Sequence, residues 1–405
     1  MRFRIDDAPA YLLGGVAEAV RTLRREGREI IDLSQMNPDL GAPAVAIESL
    51  VQASLYPHHH RYSASQGISR LRESFAAWYH TRYGGEELSP ETDIVVTMGT
   101  KEGISHLLLA ILEHGDTVMI PSPSYPIHTT AVFLAGGVVR PIPFGLELSV
   151  QANPALTADE EERFLATVRH EVQSTHPPPR VLVVSFPHNP TTVVVSMRFW
   201  TQLVELAHEC GFFILHDFAY GSLVFDGTIA PSILQAPGAR EVAVEFFSLS
   251  KGYSMPGFRV GFCAGNPTLV SALRKVKSYL DSGQFQPIQL AAVRVLEVPS
   301  VVDEYLRRYQ SRRDVLADGL VRVGWNVERP LATPFVWAKI PPQFAEMEST
   351  RFSRLLLEEG GVAVCPGAGF GSGGEQFVRF ALVEEESVLR RAVQHLEPLI
   401  RGGRA

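Results

Sequence analysis

The sequence predicts an α/β fold, with a large domain built on a mostly parallel sheet flanked by helices and a smaller α+β domain after it. Three observations lead there. The chain has 405 residues, too many for one ordinary hydrophobic core. Between about Asp93 and Cys263, short β-branched runs alternate with amphipathic stretches. After about Pro287 the rhythm changes to long helical patterns enclosing short strands. Near-continuous apolar strands alternating with helices indicate a sheet covered on both faces.

In chain order, DIVVTMG (93–99) reads as a strand and KEGISHLLLAILEHG (101–115) as a helix ended by glycine. DTVMIP (116–121) is a strand and TTAVFLAGG (129–137) a helix with a glycine stop. RVLVVSFP (180–187), SMRFWTQLVELAHECG (196–211) and FFILHD (212–217) repeat the pattern. AVEFFSLS (243–250) and RVGFCAG (259–265) add two strands. Later come helical patterns at 286–297, 301–321, 349–360 and 385–401, with strands at 334–340, 362–365 and 376–382. The predicted division is an arm at 1–45, which holds a helix over about 10–26, a large domain at 46–286 and a small domain at 287–405. The acidic run ADEEERF (158–164) opens a helix and reads as a solvated face.

Composition narrows the function. The formal net charge of −7 offers no general attraction to nucleic acid or an anionic membrane, so any bound anion needs a local pocket. Three separated cysteines make no CxxC pair, and MRFRIDDAPAYLL lacks a signal-peptide core, so a cytoplasmic location is expected. No metal site is expected; His58–His60 on one loop cannot easily converge on one ion.

The chemistry starts at FSLSKGYSMPGFRVGF (247–262). Lys251 directly follows an apolar strand and is flanked by Ser248 and Ser250, with Arg259 eight residues on. Alone, an SK dipeptide reads as a surface loop. Its functional reading is a lysine imine beside hydroxyls and a guanidinium that grip a phosphate. That reading gains weight from Asp217, at the carboxyl end of FFILHD, where parallel sheets bind ligands. A carboxylate there needs a cation, such as a protonated ring nitrogen, or else it caps a helix. Tyr220, three residues on, can donate to a ring oxygen.

Other strand ends add weaker signals. Asn189, in SFPHNPTT, is either a ring ligand or a plain Asn-Pro turn. Gly99, Thr100 and Lys101 form a strand–glycine–helix junction suited to phosphate, although Thr100 is also a good N-cap. Tyr125 can stack on a planar ring, and His128 can reach Asp217 or sit buried and satisfied. Arg379, inside the strand EQFVRFAL, is an edge or salt-bridge residue or a bidentate grip for a carboxylate.

Taken in order, Tyr62, Gly99-Thr100-Lys101, Tyr125, Asn189, Asp217, Tyr220, Ser248-x-Ser250-Lys251, Arg259 and Arg379 resemble the class I/II aminotransferases, pyridoxal-phosphate (PLP) enzymes of fold type I. The resemblance runs from DLSQMNPD (32–39) to Arg379. It implies that Lys251 carries PLP as an imine and shuttles the proton between the substrate Cα and the cofactor. Asp217 would pair with the pyridine nitrogen, backed by His128, while Asn189 and Tyr220 would bond the phenolic oxygen and Tyr125 would stack on the ring. Gly99, Thr100, Lys101, Ser248, Arg259 and also Ser250 would hold the phosphate, and Arg379 the α-carboxylate. Tyr62 would reach the phosphate of a neighbouring subunit, implying a homodimer with shared active sites.

The stretches GTKEGISHLLLAILEHGDTV, PSPSYPIH, AVEFFSLSKGYSMPGFRVGF and FVWAKIP are most like the bacterial alanine (glutamate–pyruvate) transaminase branch. The expected substrates are therefore an L-amino acid, of the alanine type by preference, and a 2-oxo acid such as 2-oxoglutarate or pyruvate, in a ping-pong reaction. Alternatives are an aspartate or broad-range aminotransferase, or a lyase or synthase of the same fold. No arginine stands near SGQFQP (282–287) to pair with a side-chain carboxylate. Two departures bear on the site. Met36 stands where the family usually has glycine near the substrate, and its thioether is expected to narrow or reshape the pocket. Thr192 stands where glycine or glutamine is frequent.

Overall fold

The computed structural model describes residues 3–8, 12–144, 155–298 and 300–402. Its first strand, β1 (Ile31–Asp32), is a short partner for a later segment. The central sheet comprises β2 (Ile94–Thr97), β3 (Thr117–Ser122), β4 (Val138–Pro143), β5 (Val181–Val184), β6 (Phe213–Asp217), β7 (Ala243–Ser248) and β8 (Gly261–Gly265). Their order across the sheet is β2-β8-β7-β6-β5-β3-β4. All neighbouring pairs are parallel except those of β8, which runs antiparallel to β2 and to β7.

Side chains alternate across this sheet with period two, and both faces are apolar. Met119, Leu182, Val184, Ile214, Ala243 and Phe247 join one core, which also holds Phe75 and Leu203 from the helices 69–83 and 197–210. Val118, Ile120, Val181, Val183, Leu215, Val244 and Phe246 join the opposite core, covered by the helices 100–111, 126–135 and 267–280. This double burial is why the strands read as unbroken apolar runs.

A second, three-stranded antiparallel sheet is formed by β9 (Phe335–Lys339), β11 (Cys365–Pro366) and β12 (Phe377–Ala381), in the order β11-β12-β9. Between them β10 (Val362–Ala363) pairs in parallel with β1. The helices 301–322, 349–358 and 386–402 pack on this unit around its own core, which includes Leu316, Phe352, Phe380 and Leu396. Tyr220, Leu223 and Phe225, in the loop after β6, belong to that core as well, so the segment bearing the site is gripped from both sides.

Several elements differ from the sequence expectation. β4 was not foreseen; VVRPIP lies at the sheet edge with four exposed residues and two prolines, which hide the strand signal. β7 ends at Ser248, and the next residues, Leu249–Gly252, turn into one helical turn carrying Lys251. β8 begins at Gly261, not at Arg259, which adopts a left-handed conformation with φ +56°. The N-terminal helix runs Leu12–Arg25; the start expected near residue 10 lies outside the described residues.

The acidic run is not simply solvated. Thr157 and Glu160 form a reciprocal N-terminal cap, and the buried Glu161 accepts from the Ser196 N–H and hydroxyl, both at 2.7 Å. His59 and His60 bond the backbone oxygens of Ala53 and Ser54 at the end of helix 44–54. Among the described residues no helix is long and apolar enough to cross a membrane.

Candidate active site

Five predicted site segments leave the central sheet on one edge. Gly99–Lys101 follow β2, Tyr125 follows β3, Asn189 follows β5, Asp217 ends β6 and Lys251 follows β7. These are carboxyl ends of strands, the ligand-binding edge of such a sheet. β8 runs the other way, so its amino end, just after Arg259, lies on the same edge. The second sheet supplies Arg379 from β12 and Phe335 from β9.

Together these residues line a cleft of about 300 Å³, with Ser34, Gln35, Met36, Ala219, Tyr220, Ser248, Ser250 and Pro256. The cleft therefore gathers the predicted site residues except two. His128 lies behind Asp217, and Tyr62 projects from the surface, 93% exposed.

At one end the positive groups converge. Gly99 is the N-cap of helix 100–111, with φ +80°. A Cβ there would sit 2.6 Å from Arg259 Nη2 and push the guanidinium aside, and the positive φ itself favours glycine. Arg259 Nη2 donates to the Met98 carbonyl at 2.8 Å, and Nη1 to Pro256 at 3.2 Å. Ser248 caps the turn carrying Lys251, its hydroxyl accepting from Ser250 N–H at 3.1 Å. Thr100 is the first helical residue, so its N-cap reading gives way to Gly99.

At the opposite end of the chemistry, Asp217 is 4% exposed and accepts from His128 Nε2 at 3.1 Å and from the Ala219 N–H at 3.3 Å. Because the carboxylate only accepts, His128 carries its proton on Nε2, and Nδ1 takes the Ser124 hydroxyl at 2.8 Å. Next along the edge, the buried His188 imidazole bonds Thr191 at 2.7 Å, and burial lowers its pKa to about 3. The neighbouring Thr192 sits at φ +68°, a conformation that favours glycine. The departure seen there in the sequence is thus a threonine held in a glycine-like turn.

Between these ends lies Lys251. Burial, then the charges of Arg379 and Arg259, lower its pKa to about 8, with Asp217 acting in the opposite sense. Its Nζ donates to the Met36 backbone oxygen at 3.2 Å. Met36 also packs against the core of the small unit. The expectation that its thioether shapes the pocket is therefore sharpened: what meets the lysine is the peptide carbonyl, which any residue supplies. Tyr220 is buried against Phe335, with ring centroids 5.4 Å apart, and desolvation pushes its hydroxyl pKa up.

Arg379 is 3% exposed and fixed on all sides. Nη1 donates to Asn189 Oδ1 at 2.8 Å and Nη2 to the Ser34 carbonyl at 3.3 Å. Its Cζ lies 4.1 Å from the Phe335 ring centroid and 4.7 Å from that of Phe370. Nε is buried and has no hydrogen-bond partner among the described residues. A buried, partly unpaired guanidinium suits an incoming carboxylate. Ser34, Phe335 and Phe370 were not foreseen as site residues. A backbone oxygen leaves no side-chain signal, and a phenylalanine in a strand reads as core.

Fold and cleft together define a PLP fold type I enzyme, and the chain belongs to the family "Aminotransferase class I and II", whose profile matches residues 28–396. The relatives are aminotransferases. The glutamate–pyruvate aminotransferase AlaC of Escherichia coli (strain K12) is 44% identical over 98% of this chain and 93% of its own. The LL-diaminopimelate aminotransferase of Moorella thermoacetica is 35% identical over 98% of this chain and 97% of its own. The substrate-bound BacF structure from Bacillus subtilis superposes with a TM-score of 0.87 at 29% identity, covering 98% of both chains.

The protein is thus a PLP-dependent aminotransferase. The residues present fit that cofactor. The glycine-lined cradle beside Arg259 suits a phosphate, Asp217 suits a protonated ring nitrogen, and a lysine with a depressed pKa suits an aldehyde.

Proposed function

We propose that this aminotransferase acts on short L-amino acids, alanine foremost, and passes the amino group to a 2-oxo acid such as 2-oxoglutarate or pyruvate by a ping-pong mechanism. The observation that carries the reading is the charge of the cleft wall. Among the described lining residues Asp217 is the only carboxylate, and it is already engaged by His128. A substrate with a distal ammonium group would leave that charge without an anionic partner. A methyl side chain meets Phe335 and Tyr220 and asks for none. The greater identity to AlaC than to the diaminopimelate enzyme points the same way.

Each residue then has a defined task. Arg379 takes the substrate α-carboxylate on its free Nε edge and fixes Cα. Lys251, whose lowered pKa favours its neutral form, takes the proton from Cα and returns one on the cofactor side. Bound PLP supplies a ring that accepts the charge left at Cα. Asp217, with His128 and Ser124 behind it, holds the proton on the ring nitrogen. Asn189 accepts from Arg379 through Oδ1, so its NH₂ group is turned toward the cleft, where with Tyr220 it meets the phenolic oxygen. Tyr125 stacks on the ring, and Gly99, Thr100, Lys101, Ser248, Ser250 and Arg259 hold the phosphate.

The test is a panel of single half-reactions with L-alanine, L-glutamate, L-aspartate and LL-diaminopimelate, followed through the cofactor absorbance. L-Alanine is expected to react at least about tenfold faster, per unit concentration, than LL-diaminopimelate, the effect of one unpaired buried charge. The reverse order would overturn the reading.

We further propose that the protein is a cytoplasmic homodimer in which Tyr62 completes the partner's phosphate site. Its exposure, together with that of Ile47, Val51, Leu55 and Phe285, supports this. Sedimentation at twice the chain mass is the expected result; a stable, fully active monomer would contradict it.

A further inference from the structure

We infer that Gln284 is a positioning residue that sets the grip on the cofactor phosphate. The inference rests on the reading that Gly99, Thr100, Lys101, Ser248 and Arg259 hold that phosphate. β2 and β8 are paired up to Thr97 and Gly261, then part. One continues into Gly99 and the helix N-terminus, and the other is preceded by Arg259. At this fork the next pair, Gly99 with Arg259, makes no backbone bond among the described residues, so the Arg259 carbonyl is left without a rung beside the last paired carbonyl, that of Thr97. The Gln284 Nε2 group donates to both, to Thr97 at 3.0 Å and to Arg259 at 2.6 Å. One side-chain amide thus replaces the missing rung and fixes the gap between the helix N-terminus and the arginine.

That gap has little tolerance. Arg259 is held at φ +56°, which an arginine does not adopt without support from its surroundings. Its Nη2 lies where a Cβ on Gly99 would come within 2.6 Å. Gly261 is equally confined, a Cβ there meeting the Phe247 carbonyl at 2.7 Å and Gly99 Cα at 2.9 Å. Release of the Arg259 carbonyl frees the peptide that follows Arg259 to rotate, which would shift the guanidinium from the cradle.

Gln284 is itself held in place. Its carbonyl accepts from Gln289 Nε2 at 2.8 Å. The same Gln289 donates to Ser63 Oγ at 2.9 Å and accepts from the Ile68 N–H at 2.8 Å. Gly283, at φ +74°, packs so closely that a Cβ would lie 2.3 Å from the Ala64 carbonyl. The amide therefore projects from a braced segment and is not a loose surface chain. Its reach ends on backbone carbonyls beneath the phosphate residues and does not extend to the ring or the substrate.

The test separates the phosphate from the rest of the cofactor. Gln284→Met keeps the side-chain length and removes both donor hydrogens, and Gln284→Glu keeps the shape but turns an acceptor toward the two carbonyls. For each, the release rate of PLP from the holoenzyme is measured, and the affinity of the stripped full chain for PLP and for pyridoxal, which lacks the phosphate. PLP affinity is expected to fall tenfold or more in both variants, with faster release, while pyridoxal affinity changes less than twofold. An equal fall for both ligands, or no fall for PLP, overturns the inference. If one variant does not accumulate folded, the other carries the same comparison. Arg259→Ala is run alongside. If it weakens both ligands equally, the phosphate reading itself fails; if it alone shows the split, only the role of Gln284 fails.

Discussion

Replacement of Lys251 by alanine is expected to lower kcat by about 10⁴-fold or more, since it removes both the anchor of the cofactor and the base at Cα. The absorbance of covalently held cofactor should vanish with it, while noncovalent PLP remains bound through the Arg259 and Asp217 ends of the cleft. Survival of that absorbance in the purified variant would refute the assignment. The wild-type amine gives a second reading of the same residue. Its proton is lost at a lower pH than that of a free lysine, because the pKa falls from 10.5 to about 8. The neutral, nucleophilic form is thus half populated near pH 8. Uptake of PLP by the stripped protein should speed up with rising pH and level off above that point. A rise continuing to pH 10 would show an ordinary exposed amine.

Arg379→Ala is expected to reduce kcat/KM for L-alanine by roughly 10²–10³-fold, the range for truncating one partner of a buried, hydrogen-bonded charge pair. The absorbance of covalently held cofactor should persist, because Lys251 is intact, while its pH dependence should shift, because Arg379 lowers the Lys251 pKa and fixes Asn189. Arg379→Lys should recover only part of the loss: an ammonium has no planar fork to lie between Phe335 and Phe370 while serving Asn189, Ser34 and a carboxylate together. Steady-state kinetics with L-alanine and with an amine lacking the carboxylate check this. The amine should lose little between wild type and variant. A loss below tenfold for L-alanine would remove Arg379 from the substrate site.

Much of this was legible in the sequence for one physical reason. Strands buried on both faces are apolar runs, and the polar residues at their carboxyl ends, Asn189, Asp217 and Lys251, interrupt those runs visibly. What was not legible follows equally from physics. An apolar run carries no sign of strand direction, so the antiparallel insertion of β8 could not be read, although it is what brings Arg259 to the site. β4 escaped because an edge strand with two prolines lacks the pattern of its buried neighbours. The surroundings of Arg379 escaped because carbonyls have no side-chain signature and aromatic rings in strands look like core. Gln284 stood in SGQFQP in plain view, but nothing in a sequence tells that one amide will span two strand ends.

The cleft performs transamination and not elimination or another outcome on the same cofactor. A single-turnover reaction of holoenzyme with L-alanine, without a 2-oxo acid, tests it most directly. The expected result is conversion of the bound cofactor to its pyridoxamine form, with one pyruvate formed per site and no ammonia released. A bound cofactor that stays in its PLP form with L-alanine, and equally with L-glutamate and L-aspartate, would contradict it.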